Sequence, residues 1–314
     1  VSGFTFRQLG KTQLLVSPLG IGGGSGIGSE DLLYAFDRGV NYFFYSSDLH
    51  HFIYHNSTAA LKTLCSAGSS VRDKVVLATA SYVTNPEKII AVILDQFKEL
   101  GVDYVDIFQW GWVTEKDDMD GLIQVGNSLK AGGTLARFIQ EKVFQMENIN
   151  QELVNRGLVR YVSASFHSRQ LARQWLDKLD VVMLRYNLAH LGIENGIFPL
   201  LSADKSKDPG VVVFNVGHES GKLISTPPPG YPVEKYIPSI PDCYRYVLSN
   251  PWVDVVLSGV SNRHQLDSAL AALDKGPLSR EECDYFREYG ALWRANGQNS
   301  SGPNPLLNFL GVGR

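Results

Sequence analysis

Cysteine is scarce in this chain of 314 residues, with three in all: Cys65, Cys243 and Cys283. They are odd in number and far apart, so the pattern offers no disulfide framework, and no CxxC pair suggests a zinc site. No HExxH or comparable histidine spacing occurs, and no metal is expected. The chain also lacks any block of one charge. Its formal net charge is −3 and its pI about 6.2, which argues against nucleic acid or an anionic membrane as the main partner. No apolar run reaches the roughly 18 residues that a membrane helix needs. The opening Val1-Ser2-Gly3-Phe4-Thr5-Phe6 has neither the charged start nor the apolar stretch of a signal peptide. These absences leave a cytoplasmic protein that acts on a small molecule as the expectation.

What the chain does have is apolar mass, 44% hydrophobic against 19% charged residues, enough for a large core. Its organising stretch runs from Asn41 to His51. An aromatic strand, Tyr42-Phe43-Phe44-Tyr45, leads into a polar cluster of Tyr45, Asp48, His50 and His51. Delivering hydroxyl, carboxylate and imidazole groups to a strand's C-terminal end is how an α/β enzyme builds a site.

Residues 4–16 read as a β-hairpin turning at Leu9-Gly10-Lys11-Thr12. The glycines between Gly20 and Gly26 contain a GxGxxG-like string, but Pro18 and the preceding hairpin do not give the strand–turn–helix context of a dinucleotide fingerprint. A loop over the top of a barrel fits Leu19 to Gly28 better. Helices are expected from Ser29 to Gly39, over 57–67, and from Asn85-Pro86 to Gly101. Buried strands are expected at 74–80 and 104–110, joined by a long polar connection over 115–133 to a helix at 134–156. The alternation continues with strands at 158–164, 180–185, 211–216 and 253–258. Helices follow at 168–177, 241–249, 262–273 and 279–296. Repeated alternation implies parallel strands, and eight of them point to one (β/α)₈ barrel over 1–314, with 297–314 as a possible loose tail.

Several segments carry a resemblance. They are Leu9-Gly10, Val16-Ser17-Pro18-Leu19-Gly20, Gly39-Val40-Asn41-Tyr42-Phe43, Leu100-Gly101-Val102-Asp103-Tyr104-Val105-Asp106, Gly157-Leu158-Val159-Arg160-Tyr161, Tyr186-Asn187 and Val253-Asp254-Val255-Val256-Leu257-Ser258-Gly259. In order and spacing, over nearly the whole length, the chain resembles the aldo-keto reductases. The resemblance implies a (β/α)₈ barrel, NADP or NAD as cofactor, and carbonyl reduction with a tyrosine acid tuned by lysine, histidine and aspartate. At all four places this sequence departs from the family. The aspartate position falls on Tyr45, the tyrosine on His50, the lysine on Ala80 and the histidine on Gly111.

On the resemblance, Ser165, Gly259, Asn262, Arg263 and Gln265 are the candidates for cofactor binding, Arg263 for a 2′-phosphate. Phe166 and Met183 stand where the family has an asparagine and a glutamine. All seven histidines fall in or just after expected βα connections: His50, His51, His55, His167, His190, His218 and His264. Tyr45, Asp48, His50, His51, Arg185 and His218 are therefore the candidate catalytic groups. Trp110, Trp112, Phe166, His167, His190 and Glu219 are the candidates for contact with substrate. Two readings stay open. One is a nicotinamide-linked oxidoreductase with His50 in place of the tyrosine acid. The other is a lyase, cyclase, isomerase or hydrolase that uses the His/Tyr cluster without cofactor. A non-catalytic binder fits less well, because the pocket has gained imidazoles rather than lost polar groups.

Overall fold

Runs such as Val181-Val182-Met183-Leu184-Arg185 and Gly210-Val211-Val212-Val213-Phe214 are apolar on both faces, as strands covered on both sides must be. The computed structural model describes residues 4–48, 51–142, 155–218 and 221–295, without the side chains of 51, 52 and 142. Its strands are β1 (Arg7–Gln8), β2 (Leu15–Val16), β3 (Leu19–Gly22), β4 (Tyr42–Ser46), β5 (Val76–Ser81), β6 (Val105–Val113), β7 (Val159–Phe166), β8 (Val181–Arg185), β9 (Gly210–Phe214) and β10 (Val255–Ser258). The first two form the hairpin. The other eight close into a parallel barrel in the order β10-β3-β4-β5-β6-β7-β8-β9, so the (β/α)₈ expectation is met. Outside the barrel lie α1 (Ser29–Asp37), α2 (His51–Tyr54), α3 (Thr58–Cys65), α4 (Ile89–Leu100), α5 (Met119–Leu129), α6 (Thr134–Lys142), α7 (Arg169–Trp175), α8 (Gly192–Gly196), α9 (Lys222–Ser225), α10 (Ile240–Leu248), α11 (Arg263–Lys275) and α12 (Arg280–Ala295). Among the described residues, no helix is long and apolar enough to cross a membrane.

Three local expectations need correction. Leu19–Gly22 is the first barrel strand, not loop. Its glycines are there for room: a Cβ on Gly20 would sit 2.7 Å from the Tyr42 ring, and one on Gly22 would sit 3.3 Å from Leu257. The polar connection after β6 contains α5. Asp118 caps it by accepting the N–H of Gly121, and it buries Met119, Leu122, Ile123, Gly126 and Leu129, a helical spacing masked by the polar residues between. The Asn85-Pro86 start is a turn in which Asn85 accepts the Glu87 N–H, and α4 begins only at Ile89. The expected helix at 134–156 is described as far as Lys142, and the tail from 297 lies outside the described residues.

Which side chains enter the barrel is fixed by one contact. Gln109 of β6 donates to the Met183 sulfur of β8 at 3.4 Å, although β7 lies between their strands. Only the lumen permits that. Alternation and register then place Ser46, Ala80, Gln109, Ser163, Ser165, Met183, Arg185, Phe214, Leu257 and Gly22 on the lumen side.

At the N-terminal end of the barrel, alternate strands are laced by one repeated device. The side chains of Asn41, Asp106, Asp180 and Asp254 accept the backbone N–H of Ser17, Leu77, Val162 and Val211, each on the preceding strand or at its entry. The three aspartates also pair with cations: Asp106 with Arg72 and Arg160, Asp180 with Lys130, and Asp254 with Lys205.

Candidate active site at the barrel mouth

The C-terminal end of β4 turns at Asp48, whose carboxylate ties two strands together. It accepts Ser46 Oγ at 2.9 Å, Ser81 Oγ at 2.5 Å and the Tyr82 N–H at 2.8 Å. That anchor fixes Tyr82, the first residue beyond β5. Its ring occupies the room that a side chain at 111 would take, so only glycine fits there. Tyr54, at the end of α2, packs on Gly23 and Gly24 and stands close to Tyr82. Burial first, then for Tyr82 the Asp48 charge, pushes both phenols well above the ordinary tyrosine range. Both are therefore protonated hydrogen-bond donors at neutral pH. Neither tyrosine stands out in the sequence. The available signal was position alone, since each follows a barrel strand by a few residues.

The end of β6 is irregular. The register with β7 shifts between Trp110 and Val113, and Trp112 adopts φ 52. A bulge re-aims the side chain beyond it. Here the Trp112 N–H is held by Ser165 Oγ at 2.9 Å. The Trp112 ring meets Tyr82 on one side and His167 on the other, with ring centres 5.0 and 6.2 Å away. His167 in turn meets the lumen-facing Phe214 at 5.7 Å. A continuous aromatic wall thus runs Tyr82–Trp112–His167–Phe214. Arg185 pairs in register with Phe214 at the same level. His167 keeps an exposed edge, yet desolvation by its neighbours and then the Arg185 charge lower its pKa below the ordinary histidine value. Its imidazole is a neutral base beside a cation.

A histidine pair lies under the C-terminal helix. His190 and His218 have ring centres 5.0 Å apart, and Trp293 of α12 closes on His218 at 5.0 Å, leaving it buried. His190 Nδ1 meets Asn187 Oδ1 at 3.1 Å. Trp112, Asn215 and His218 are the non-glycine residues with left-handed backbone among those described. All three stand at this rim, where such strain gathers in functional sites.

The structure corrects three sequence-based placements. Tyr45 is not at the mouth. Its ring faces the helical layer against Tyr54, near Thr58 and Glu99. Trp110 faces α5, where a Cβ on Gly126 would meet its ring at 2.7 Å. Phe166 shares its outward parity with Ala164 and Val162 and is buried on the helix side. The common cause is alternation: each is one residue out of phase with the lumen. His55 turns away to Glu99 at 3.8 Å, and His264 is exposed on α11. His50 and Glu219 lie outside the described residues, as does the side chain of His51. Among the described residues, no three His, Cys, Asp or Glu side chains converge as a metal set.

The cofactor candidates gather where β10 meets α11. A Cβ on Gly259 would approach Ser25 Oγ to 2.7 Å, so the β3 and β10 loops touch there. Asn262 caps α11 by accepting the Gln265 N–H, and the Gln265 side chain accepts the Ser261 N–H. Arg263 gives Nε to Asp31 at 2.8 Å and lies over the Tyr34 ring, while its side chain remains half exposed. First-turn N–H groups that no helix satisfies internally, together with this guanidinium, fit the phosphate-bearing end of a nicotinamide dinucleotide. Ser165, whose hydroxyl accepts from Trp112 and retains its own proton, fits the other end. Phe166, turned outward, offers nothing there.

The model of the aldo/keto reductase family matches residues 29–218. Among solved structures, an aldo-keto reductase from Bacillus halodurans in its holo form is similar over 90% of this chain and 95% of its own, at 21% identity and a TM-score of 0.67. Its apo form gives 20% identity and a TM-score of 0.64 over the same shares. A thermostable aldo-keto reductase in complex with the inhibitor epalrestat gives 14% and 0.62, over 91% of this chain and all of its own. At these identities the likeness speaks for the fold. No curated protein matches at a significant level. The family model spans more than half of a chain whose eight strands close into the expected barrel, and the chain belongs to the aldo/keto reductase family.

Proposed function

We propose that the chain is an NAD(P)(H)-linked oxidoreductase that acts on the carbonyl group of a small molecule bound at the barrel mouth. The observation that carries this is Tyr82, whose backbone N–H is anchored by Asp48 and whose ring sits in the room left at Gly111. That is the place where the family keeps a histidine. Ser165, Gly259, Asn262, Arg263 and Gln265 would hold the dinucleotide, which when bound supplies or accepts the hydride. Negative charge then gathers on the carbonyl oxygen and needs a donor. Tyr82 serves as hydrogen-bond donor and not as acid, because its raised pKa keeps the proton in place. His50 or His51 is the candidate that delivers the proton, histidine being the commonest general acid.

The test is quenching of tryptophan fluorescence by NADPH and NADH, followed by turnover on a panel of aldehydes and ketones. Saturation in the micromolar range is expected with one of the two. Tyr82→Phe should then lower kcat by about 10²-fold with little change in dinucleotide affinity, the usual loss for one oxyanion donor. Silence toward both dinucleotides would remove the redox reading. A second reading is favoured by His167, neutral beside Arg185: proton abstraction from an anionic substrate with no cofactor. Under it, the dinucleotides have no effect and His167→Gln abolishes turnover.

A further inference from the structure

Charge is distributed unevenly around the mouth. Followed in register, the lumen faces of the eight strands carry one charged residue, Arg185. It ends β8, which stands opposite β4 in the barrel order, so Arg185 and the Asp48–Tyr82 cluster face each other across the opening. The Asp48 carboxylate is occupied by four donors within its own rim, Ser46 Oγ, Ser81 Oγ and the Tyr82 and Val83 N–H groups. The aromatic wall runs from Tyr82 through Trp112 and His167 to Phe214 beyond Arg185, above the small Ala80 and Gly111 of the same strands, while Gly22 and Leu257 lie on the other flank. The lumen of a (β/α)₈ barrel is filled by its own side chains, so a ligand is met by the groups at its C-terminal face.

We infer that the substrate carries a carboxylate on a flat, aromatic or conjugated body. The carboxylate is held by the Arg185 guanidinium, the body lies on the Trp112–His167–Phe214 wall, and the reacting group reaches Tyr82 on the far side. This rests on the reading that the mouth is the active site, but not on the cofactor. A guanidinium presents two parallel N–H groups to a planar anion, which a point charge cannot do. These edge-to-face rings offer a flat, conjugated body ring faces and edges that a puckered one matches less well. A ligand bound at both poles also has its orientation set, which is what positions a reacting group.

The experiment is calorimetric titration with benzoate, benzamide and cyclohexanecarboxylate, run without dinucleotide and again with NADPH. Benzoate should bind about tenfold more tightly than neutral benzamide, and severalfold more tightly than the puckered acid. Arg185→Met should bring the benzoate-to-benzamide ratio to about one. Arg185→Lys, which keeps the charge and loses the fork, should give an intermediate ratio. Equal binding of benzoate and benzamide by the unaltered protein overturns the inference whether or not Arg185→Met folds, and so does an undiminished ratio in Arg185→Lys. Discrimination without any response to NADPH sinks the reductase reading and leaves the carboxylate assignment standing. NADPH saturation without discrimination does the reverse.

Discussion

At the N-terminal end of the barrel, Asn41, Asp106, Asp180 and Asp254 each accept a neighbouring strand's N–H, and each aspartate carries a cation. At the C-terminal end, Asp48 also bridges two strands, but its partners are Ser46, Ser81 and the Tyr82 and Val83 N–H groups, with no cation among those contacts. The same chemical group therefore does two jobs. Below, ion pairs lock strand register. Above, the carboxylate anchors the backbone that carries a phenol, and its charge adds to burial in keeping that phenol protonated. Backbone strain follows the same division, since the left-handed Trp112, Asn215 and His218 are all at the upper end. The comparison suggests that stability is concentrated at one rim and adaptability at the other.

The largest expected effect lies at the lower end. Asp106 is buried between Arg72 and Arg160 and also holds the Leu77 N–H. Asp106→Ala leaves a buried guanidinium and a backbone donor without their acceptor, and should cost about 3–5 kcal/mol in urea denaturation. Dinucleotide affinity of the protein that remains folded should be unchanged. A large loss of affinity with little loss of stability would break the division between the two ends. Next comes Gly111→Ala. Its Cβ would collide with the Tyr82 ring, so Tyr82 must move. Overpacking of this kind costs about 1–3 kcal/mol. The sharper readout is turnover, which should fall as it does in Tyr82→Phe. Unchanged turnover in Gly111→Ala would mean that the seating of Tyr82 over Gly111 does not matter to the chemistry.

How far the sequence could be read follows the same division. The strands are legible because apolar runs such as Val211-Val212-Val213 are rarely anything else, and the family is legible from motifs mostly tied to turns and strand starts. Their facing is not. In β4 all five residues are buried, so no polar alternation marks which side meets the lumen. Tyr45, Trp110 and Phe166 were consequently placed on the wrong face. The Tyr82–Gly111 fit joins residues on two strands, and the bulge at Trp112 breaks the alternation that would have predicted its direction. Both arise from tertiary packing and leave no local trace. Arg185 and His167 were legible because one shares parity with Met183 and the other ends a strand.

The smallest effect is also the most discriminating, because the two ends should respond to pH in opposite directions. The His167 pKa lies below the ordinary 6.5, through desolvation and then the Arg185 charge. Its contribution to stability is thus complete above that value and is lost as pH falls through the lowered folded one, where the unfolded chain binds the proton first. The effect is modest, since its exposed edge is screened by solvent. The Asp254 pKa is raised above the ordinary 3.8 by burial, despite the opposing charges of Lys205 and Arg7. Its contribution is complete below 3.8 and is lost as pH rises through the raised folded value. Between the two ordinary values the mouth gains stability with rising pH while the base loses it. Urea denaturation across that window should show His167→Gln removing the upward slope and Asp254→Asn removing the downward one, the amide oxygen still accepting the Val211 N–H. If both substitutions changed the slope in the same sense, the electrostatic contrast between the two rims would be wrong at one of them, and the sign would say which.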